Sequence, residues 1–354
     1  MRAKLELWLE LKSHNRRLLP MEGLRGLAVL LVFVHHYLTQ ALLLAPPGAQ
    51  TPISAALKSY GNVGVELFFV LSGYLIYGMV IGKKTPFLTF MRRRAERIYP
   101  TFLVMFALSL ALQWSKVPAE GTLVYLVANA LLLPGLFPIP AQVTVAWSLS
   151  FEIFFYFVTP LFVAALRLRQ QSAAVRTGTI FVAALLFIVA SALFEGWPYR
   201  MLGFLMGMLL VEGVGRRVPA WLGLAAPPVA FLIGALSDLR GIGMEAVHVA
   251  SLGALTAVCL HEQPGAAQIF SWTPLRWLGN MSYSYYLMHG YVTSVVALVL
   301  TKTLGQLSIE LSWALMPLVF VLSVLPSLAL FVLVEKPLSL RPTGRAAAQT
   351  IPSR

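Results

Sequence analysis

Cysteine occurs once in the 354 residues, at Cys259, so an internal disulfide and a thiolate-rich zinc site are both excluded. Aspartate also occurs once, at Asp238, which excludes a metal site built from an aspartate pair. Charge is scarce: 12% of residues are Asp, Glu, Lys or Arg, about half of what a soluble domain carries. The opening residues lack a short apolar stretch ending in a small-residue cleavage site. Residues 1–20 mix Lys4, Glu6, Glu10, Lys12, Arg16 and Arg17 with leucines and read as a cytosolic leader. The first apolar span is then expected to serve as its own insertion signal.

Apolar sequence is what the chain has in excess. Hydrophobic residues make up 58%, and the mean hydropathy is +0.77, which excludes both a soluble globular domain and a disordered chain. The net charge of +13 suggests nucleic acid at first sight. The 27 basic residues, however, fall in short clusters between apolar runs, the pattern of cytosolic loops rather than of a recognition surface. Membrane lipid is therefore the expected surrounding and nucleic acid is not an expected partner.

A bilayer core of about 30 Å takes about 20 apolar residues. Ten stretches qualify: 21–44, 62–81, 99–115, 146–166, 178–194, 199–214, 220–237, 243–260, 281–301 and 311–335. An eleventh, 123–145, carries Pro134, Pro138 and Pro140, and proline inside a helix costs about 3 kcal/mol. Leaving it out of the count places 21 of the 27 basic residues on one side; including it moves Arg167, Arg169 and Arg176 to the other, against the positive-inside rule. The expected fold is an all-α polytopic membrane protein with about ten transmembrane helices, both termini cytosolic, and 123–145 as a re-entrant or interfacial element. Residues 21–338 form one membrane domain in this reading. The tail 339–354, rich in Ala, Pro and Arg, is expected to be disordered, with no soluble domain appended.

Ionisable side chains within spans cost about 2.5–3.5 kcal/mol each and are seldom kept without a role. Glu212, Glu245 and Glu335 lie near span ends, where snorkelling to the interface accounts for them. Glu22, Arg25 and His36 need another account. Eleven residues separate Arg25 from His36, which leaves them about 20° from full register and about 16 Å apart along the axis. Both point from one stripe of the first helix, with Glu22 about 40° from His36 and His35 about 80° from Arg25. Glu66, in the second span beside the small residues Ser72 and Gly73, lies at a depth where it can act as the carboxylate partner of His36. Arg92, Arg93, Arg94 and Arg97 put four guanidinium forks into six residues, a density suited to phosphate oxygens of a cytosolic ligand or of anionic lipid. Trp147 fits an aromatic belt, but Glu152, one turn before Tyr156, does not. Ser282 and Tyr286 share roughly one face with His289 two turns into a late helix.

In combination these residues resemble the acyltransferase 3 family of integral membrane O-acyltransferases. The resemblance is carried by Glu22-Gly-Leu-Arg25 with His36, Phe68-Phe-Val-Leu-Ser72-Gly-Tyr74, Arg92 to Pro100, Trp147-Ser-Leu-Ser-Phe-Glu152 with Tyr156, Leu278-Gly-Asn-Met-Ser282-Tyr283 through His289, and Glu335-Lys-Pro337. The matches follow the family's order over residues 20–337. The resemblance implies an enzyme that moves an acyl group, usually acetyl from cytosolic acetyl-CoA, onto a hydroxyl of a saccharide or other small acceptor in a bacterial inner membrane. It implies that His36 is the catalytic histidine and Arg25 its motif partner; the chemistry expected of them is general-base action by His36, with a covalent acyl-imidazole as the alternative, and Glu66 or Glu152 orienting the ring. Arg25, Arg92, Arg93, Arg94 and Arg97 would contact the acyl-CoA donor. Glu22, Ser72, Trp147, Tyr156, Ser282 and His289 would contact the acceptor, and no metal is implied. Two departures stand out: Glu22 and Glu66 replace a common aspartate, and Ile153 replaces a second acid that often follows Glu152. The principal alternative is a transporter or flippase for a lipid-linked or anionic substrate, which also uses buried charge and broken helices but predicts inverted repeats. No repeat is visible. A related alternative makes His289 rather than His36 the essential histidine.

Overall fold

The computed structural model describes residues 6, 8–10, 19–46, 50–194, 199–237, 239–263 and 265–340. Most of the expected leader, Asp238 and the tail from 341 lie outside the described residues. Among those described there is no β-strand, in keeping with a chain whose backbone polar groups must be satisfied within each segment where lipid surrounds it.

Helix α1 (Leu19–Leu44) matches the first expected span within two residues. A ten-residue helix, α2 (Pro52–Gly61), follows; the side chains of Thr51 and Ser54 form a reciprocal capping box at its start, a short element below the threshold of a span search. Helices α3 (Gly64–Gly82) and α4 (Phe87–Gln113) come next. α4 is longer than the span 99–115, because the arginine-rich stretch before it is itself helical; arginine is a good helix former. The arginine cluster therefore sits on a rigid helix. After α5 (Thr122–Ala130) the chain passes through turns to α6 (Trp147–Ala165). Nine helical residues, about 14 Å, are too few to cross. The turns here are held by Asn129, which donates to the Tyr125 and Pro140 carbonyls, and by Gln142, which donates to Ser109. Leu132, Pro134, Gln142, Val143 and Val145 of this irregular stretch are buried, while Leu131, Gly135, Phe137, Pro138 and Pro140 are exposed.

Then follow α7 (Ala173–Leu193), α8 (Leu202–Val211), α9 (Ala220–Leu236), α10 (Gly241–Leu260), α11 (Ala266–Phe270), α12 (Thr273–Asn280), α13 (Ser282–Leu304) and α14 (Ile309–Leu330). A π-helical segment (Phe331–Ser339) ends the described chain. Among the described residues, eight helical segments are long and apolar enough to cross a bilayer; two of the ten expected spans correspond to the shorter apolar helices Tyr199–Val211 and Ala220–Leu236. The molecule is an integral membrane protein.

α1 is the hub, packing against α2, α3, α10, α12, α13 and α14. α3 and α8 approach so closely that a Cβ on Gly73 would overlap the Phe204 carbonyl, and one on Gly207 the Val70 carbonyl. Phe204 stacks between Phe69 and Phe155 with centroids 4.3 Å from each, joining α8 to α3 and α6. α7 fully buries only Ile180, packs Phe187 against the core and leaves Phe181, Val182, Leu185 and Leu186 exposed.

Candidate active site on the seam between α1 and α13

α1 and α13 run side by side in the same direction, and the two stripe residues of α1 both meet α13. Arg25 Nε donates to Ser282 Oγ at 3.1 Å, and the His36 ring lies 5.0 Å from that of His289. The shared face expected from helical periodicity is thus a helix–helix seam. Its two ends carry different chemistry.

At the His36 end is a cavity of about 60 Å³ lined by Val32, His35, His36, Asn62, Val65, Trp147 and Tyr286, room for a few waters or one hydroxyl-bearing end of a larger molecule. His36 stands between His35 and His289, its ring centroid 5.0 Å from each. His35 Nδ1 donates to the Lys58 carbonyl at 2.7 Å, and His289 Nδ1 to the Tyr285 carbonyl at 3.0 Å; a carbonyl has no proton to give, so each tautomer is fixed. Tyr286 closes the cavity, its hydroxyl 2.7 Å from Ser148 Oγ.

At the Arg25 end a polar layer gathers residues from six elements. Glu152 accepts from Ser72 Oγ at 2.9 Å and from the Tyr156 hydroxyl. Arg97 Nη1 donates to Glu335 Oε1 at 2.7 Å, while Ser284 gives the other oxygen its backbone N–H at 3.0 Å and its hydroxyl at 2.6 Å. The π-helical turn carries Glu335 inward, where it is fully buried, so it does not snorkel. Glu212 is likewise drawn inward by Arg176, at 2.7 and 2.8 Å, and Glu245 is buried. Arg94 lies over the rings of Phe90 and Tyr156, and its Nε is buried without a partner. Arg25 lies within electrostatic reach of Arg97, Glu335 and Glu152. Of the four arginines expected at phosphate, Arg92 and Arg93 are exposed, with Arg92 3.3 Å from Glu96, and Arg94 and Arg97 face the interior.

One expected pairing is replaced by another, and one stripe residue lies elsewhere. Glu66 does not meet His36. Its Oε1 takes the Nε of Arg200, whose Nη2 donates to the Asn62 carbonyl at 3.0 Å and whose guanidinium lies 4.8 Å over the Trp147 ring. A buried carboxylate is stabilised most by a hydrogen-bonded guanidinium, and the 3₁₀ turn Tyr199–Met201 delivers one. Glu22 lies away from the polar layer, bound through Oε2 to Arg276 Nε at 2.9 Å; Arg276 also binds Glu10. Gly23, Gly26 and Gly279 let α1 and the short helices α11 and α12 touch backbone to backbone at this point. Thus Arg25, Ser72, Arg94, Arg97, Glu152, Tyr156 and Ser282 form one layer, and His36, Trp147 and His289 another. Arg200 and Asn62 were not singled out by the sequence. A lone arginine beside a loop carries no periodic signal. A larger apolar groove of about 450 Å³, lined by Phe181, Leu185, Leu202, Met206 and Val249 among others, offers no group for chemistry.

Comparison with known proteins gives the family. A family profile described as an acyltransferase domain, that of acyltransferase 3, matches residues 20–332. Acyltransferase MdmB of Streptomyces mycarofaciens is 28% identical over 310 residues, 77% of this chain and 78% of MdmB. YrhL of Bacillus subtilis, provisionally named a peptidoglycan O-acetyltransferase, is 26% identical over 375 residues, 92% of this chain and 55% of YrhL. O-acetyltransferase OatA of Staphylococcus aureus is 25% identical over 327 residues, 78% of this chain and 51% of OatA. The chain thus spans about half the length of two of these relatives. No solved structure matches it. A profile that covers residues 20–332 takes in both ends of the α1–α13 seam, and the chain belongs to the acyltransferase 3 family.

Proposed function

We propose that the chain is a membrane O-acyltransferase that carries an acyl group, acetyl in the simplest case, from cytosolic acyl-CoA to a hydroxyl of a saccharide or other small acceptor. The observation that carries this reading is the α1–α13 seam: a guanidinium at one end and, about 16 Å along the same stripe, an imidazole lining a small cavity at the other. The relatives named O-acetyltransferases support it. The exposed Arg92 and Arg93 and the unpartnered Nε of Arg94 suit the donor's phosphates, and in this reading the Arg25 end and both chain termini lie on the cytosolic side of a bacterial inner membrane. The thioester arm then runs along α1 toward His36.

There His36 acts as general base. It takes the proton of the acceptor hydroxyl as that oxygen attacks the thioester carbonyl; the carbon–sulfur bond breaks, and the proton passes to the departing thiolate. Glu152, held by Ser72 and Tyr156, and Glu335, held by Ser284, balance the charge of Arg25 and Arg97 along the donor's path. The test is label transfer in everted membrane vesicles containing the chain, supplied with ¹⁴C-acetyl-CoA. Label is expected in the glycan or lipid fraction of wild-type vesicles and to fall by about 100-fold or more in His36→Ala vesicles. Undiminished transfer by His36→Ala overturns the assignment, and movement of a lipid-linked substrate without label incorporation favours a carrier.

A further inference from the structure

His289 is fully buried, and its ring lies flat on Tyr285, centroids 5.4 Å apart and planes 6° from parallel. Nδ1 is committed as a donor to the Tyr285 carbonyl, so in the neutral ring Nε2 keeps its lone pair. That nitrogen is buried and has no hydrogen-bond partner. An orphaned buried acceptor costs about 1–3 kcal/mol and calls for an explanation. The ring packed edge-on against it is that of His36, centroids 5.0 Å apart and with no hydrogen bond between the two in this arrangement. No carboxylate takes this place, since Glu66 is bound to Arg200 and Glu152 to Ser72 and Tyr156.

We infer that His289 is the positioning residue for His36: when the acceptor is bound, the His36 ring closes the remaining gap and gives one N–H to His289 Nε2, so that the other His36 nitrogen presents its lone pair to the cavity. A base acts only in the tautomer that points its lone pair at the proton to be taken, and a fixed acceptor on the far nitrogen selects that tautomer. The order of control runs from the Tyr285 carbonyl to His289 Nδ1, and from His289 Nε2 to His36. An uncharged imidazole thereby does in this apolar seam what a carboxylate does in a polar one, with no buried charge to compensate. His35 differs: it lines the cavity, and its Nε2 is not an orphaned atom. This inference deepens the proposed acyl transfer and rests on His36 being its base.

Two substitutions separate positioning from packing. His289→Asn can keep the donor toward the Tyr285 carbonyl and removes the acceptor at the Nε2 position; His289→Gln keeps an acceptor there and gives up the bond to Tyr285. The purified variants in detergent, with wild type, are treated with diethyl pyrocarbonate, which reacts at an unprotonated imidazole nitrogen, and modification of the His36 peptide is followed by mass spectrometry. An unheld ring samples two tautomers, so His289→Asn is expected to slow modification of His36 at least about twofold and His289→Gln to restore it. In the vesicle assay His289→Asn is expected to lower kcat by about 100-fold with KM for acetyl-CoA unchanged, and His289→Gln to recover most of that loss. Wild-type rates in His289→Asn, or recovery by Asn and not by Gln, overturn the pairing. Absence of acetyl transfer in wild type overturns the proposed function instead, and the modification rates still decide the pairing.

Discussion

Replacing Arg200 by methionine tests whether the Glu66–Arg200 pair is the keystone of the His36 end. Glu66 is 2% exposed, its Oε1 is held by Arg200 and its Oε2 has no partner, so removing the guanidinium leaves a buried carboxylate with no compensating charge. Breaking a buried pair from one side costs about 3–5 kcal/mol, whereas exchanging both members for uncharged groups of similar volume is often close to neutral. The loss also removes a donor to the Asn62 carbonyl and the cation above Trp147, two residues that line the cavity. At about 2 °C per kcal/mol, the low end suited to a chain of this size, Arg200→Met is expected to lower the thermal midpoint by about 6–10 °C. Fluorescence-detected size-exclusion chromatography after heating reads this in detergent. Combining Arg200→Met with Glu66→Gln is expected to recover more than half of the loss, because the orphaned charge is gone. The reasoning is refuted if Arg200→Met shifts the midpoint by less than 2 °C, or if the double variant is no more stable than the single one.

Three further outcomes are expected. Gly207→Val drives a branched side chain into the Val70 carbonyl and should cost about 1–3 kcal/mol or more by separating α3 from α8, seen as a lower midpoint and a loss of monodisperse protein. Glu152→Ala strands the hydroxyls of Ser72 and Tyr156 and should destabilise by about 1–3 kcal/mol, while Glu152→Gln keeps an acceptor and should stay within about 1 kcal/mol of wild type by the same measurement. Replacing both exposed arginines, Arg92→Ala with Arg93→Ala, should raise KM for acetyl-CoA about tenfold, equivalent to about 1.4 kcal/mol, with kcat unchanged; a fall in kcat at constant KM would place the donor's phosphates elsewhere.

The sequence by itself determined the membrane setting, the helical class, the broken segment at 123–145 and the common stripe of Arg25 and His36. Each of these is local: hydropathy over about 20 residues, proline where a helix would need an amide proton, and a 100° step per residue act on neighbours in the chain. It also marked most of the residues that assemble at the seam, since polar groups are conspicuous in apolar helices. Tertiary structure alone decided which of them meet. Glu66 finds Arg200, 134 residues away, rather than His36, and Arg97 finds Glu335, 238 residues away. The nearest imidazoles to His36 are its neighbour His35 and the distant His289. Such pairings have no period and no spacing to read. They follow from which helices glycine lets into contact, and from the cost of leaving any charge or lone pair unpaired once those helices have closed around it.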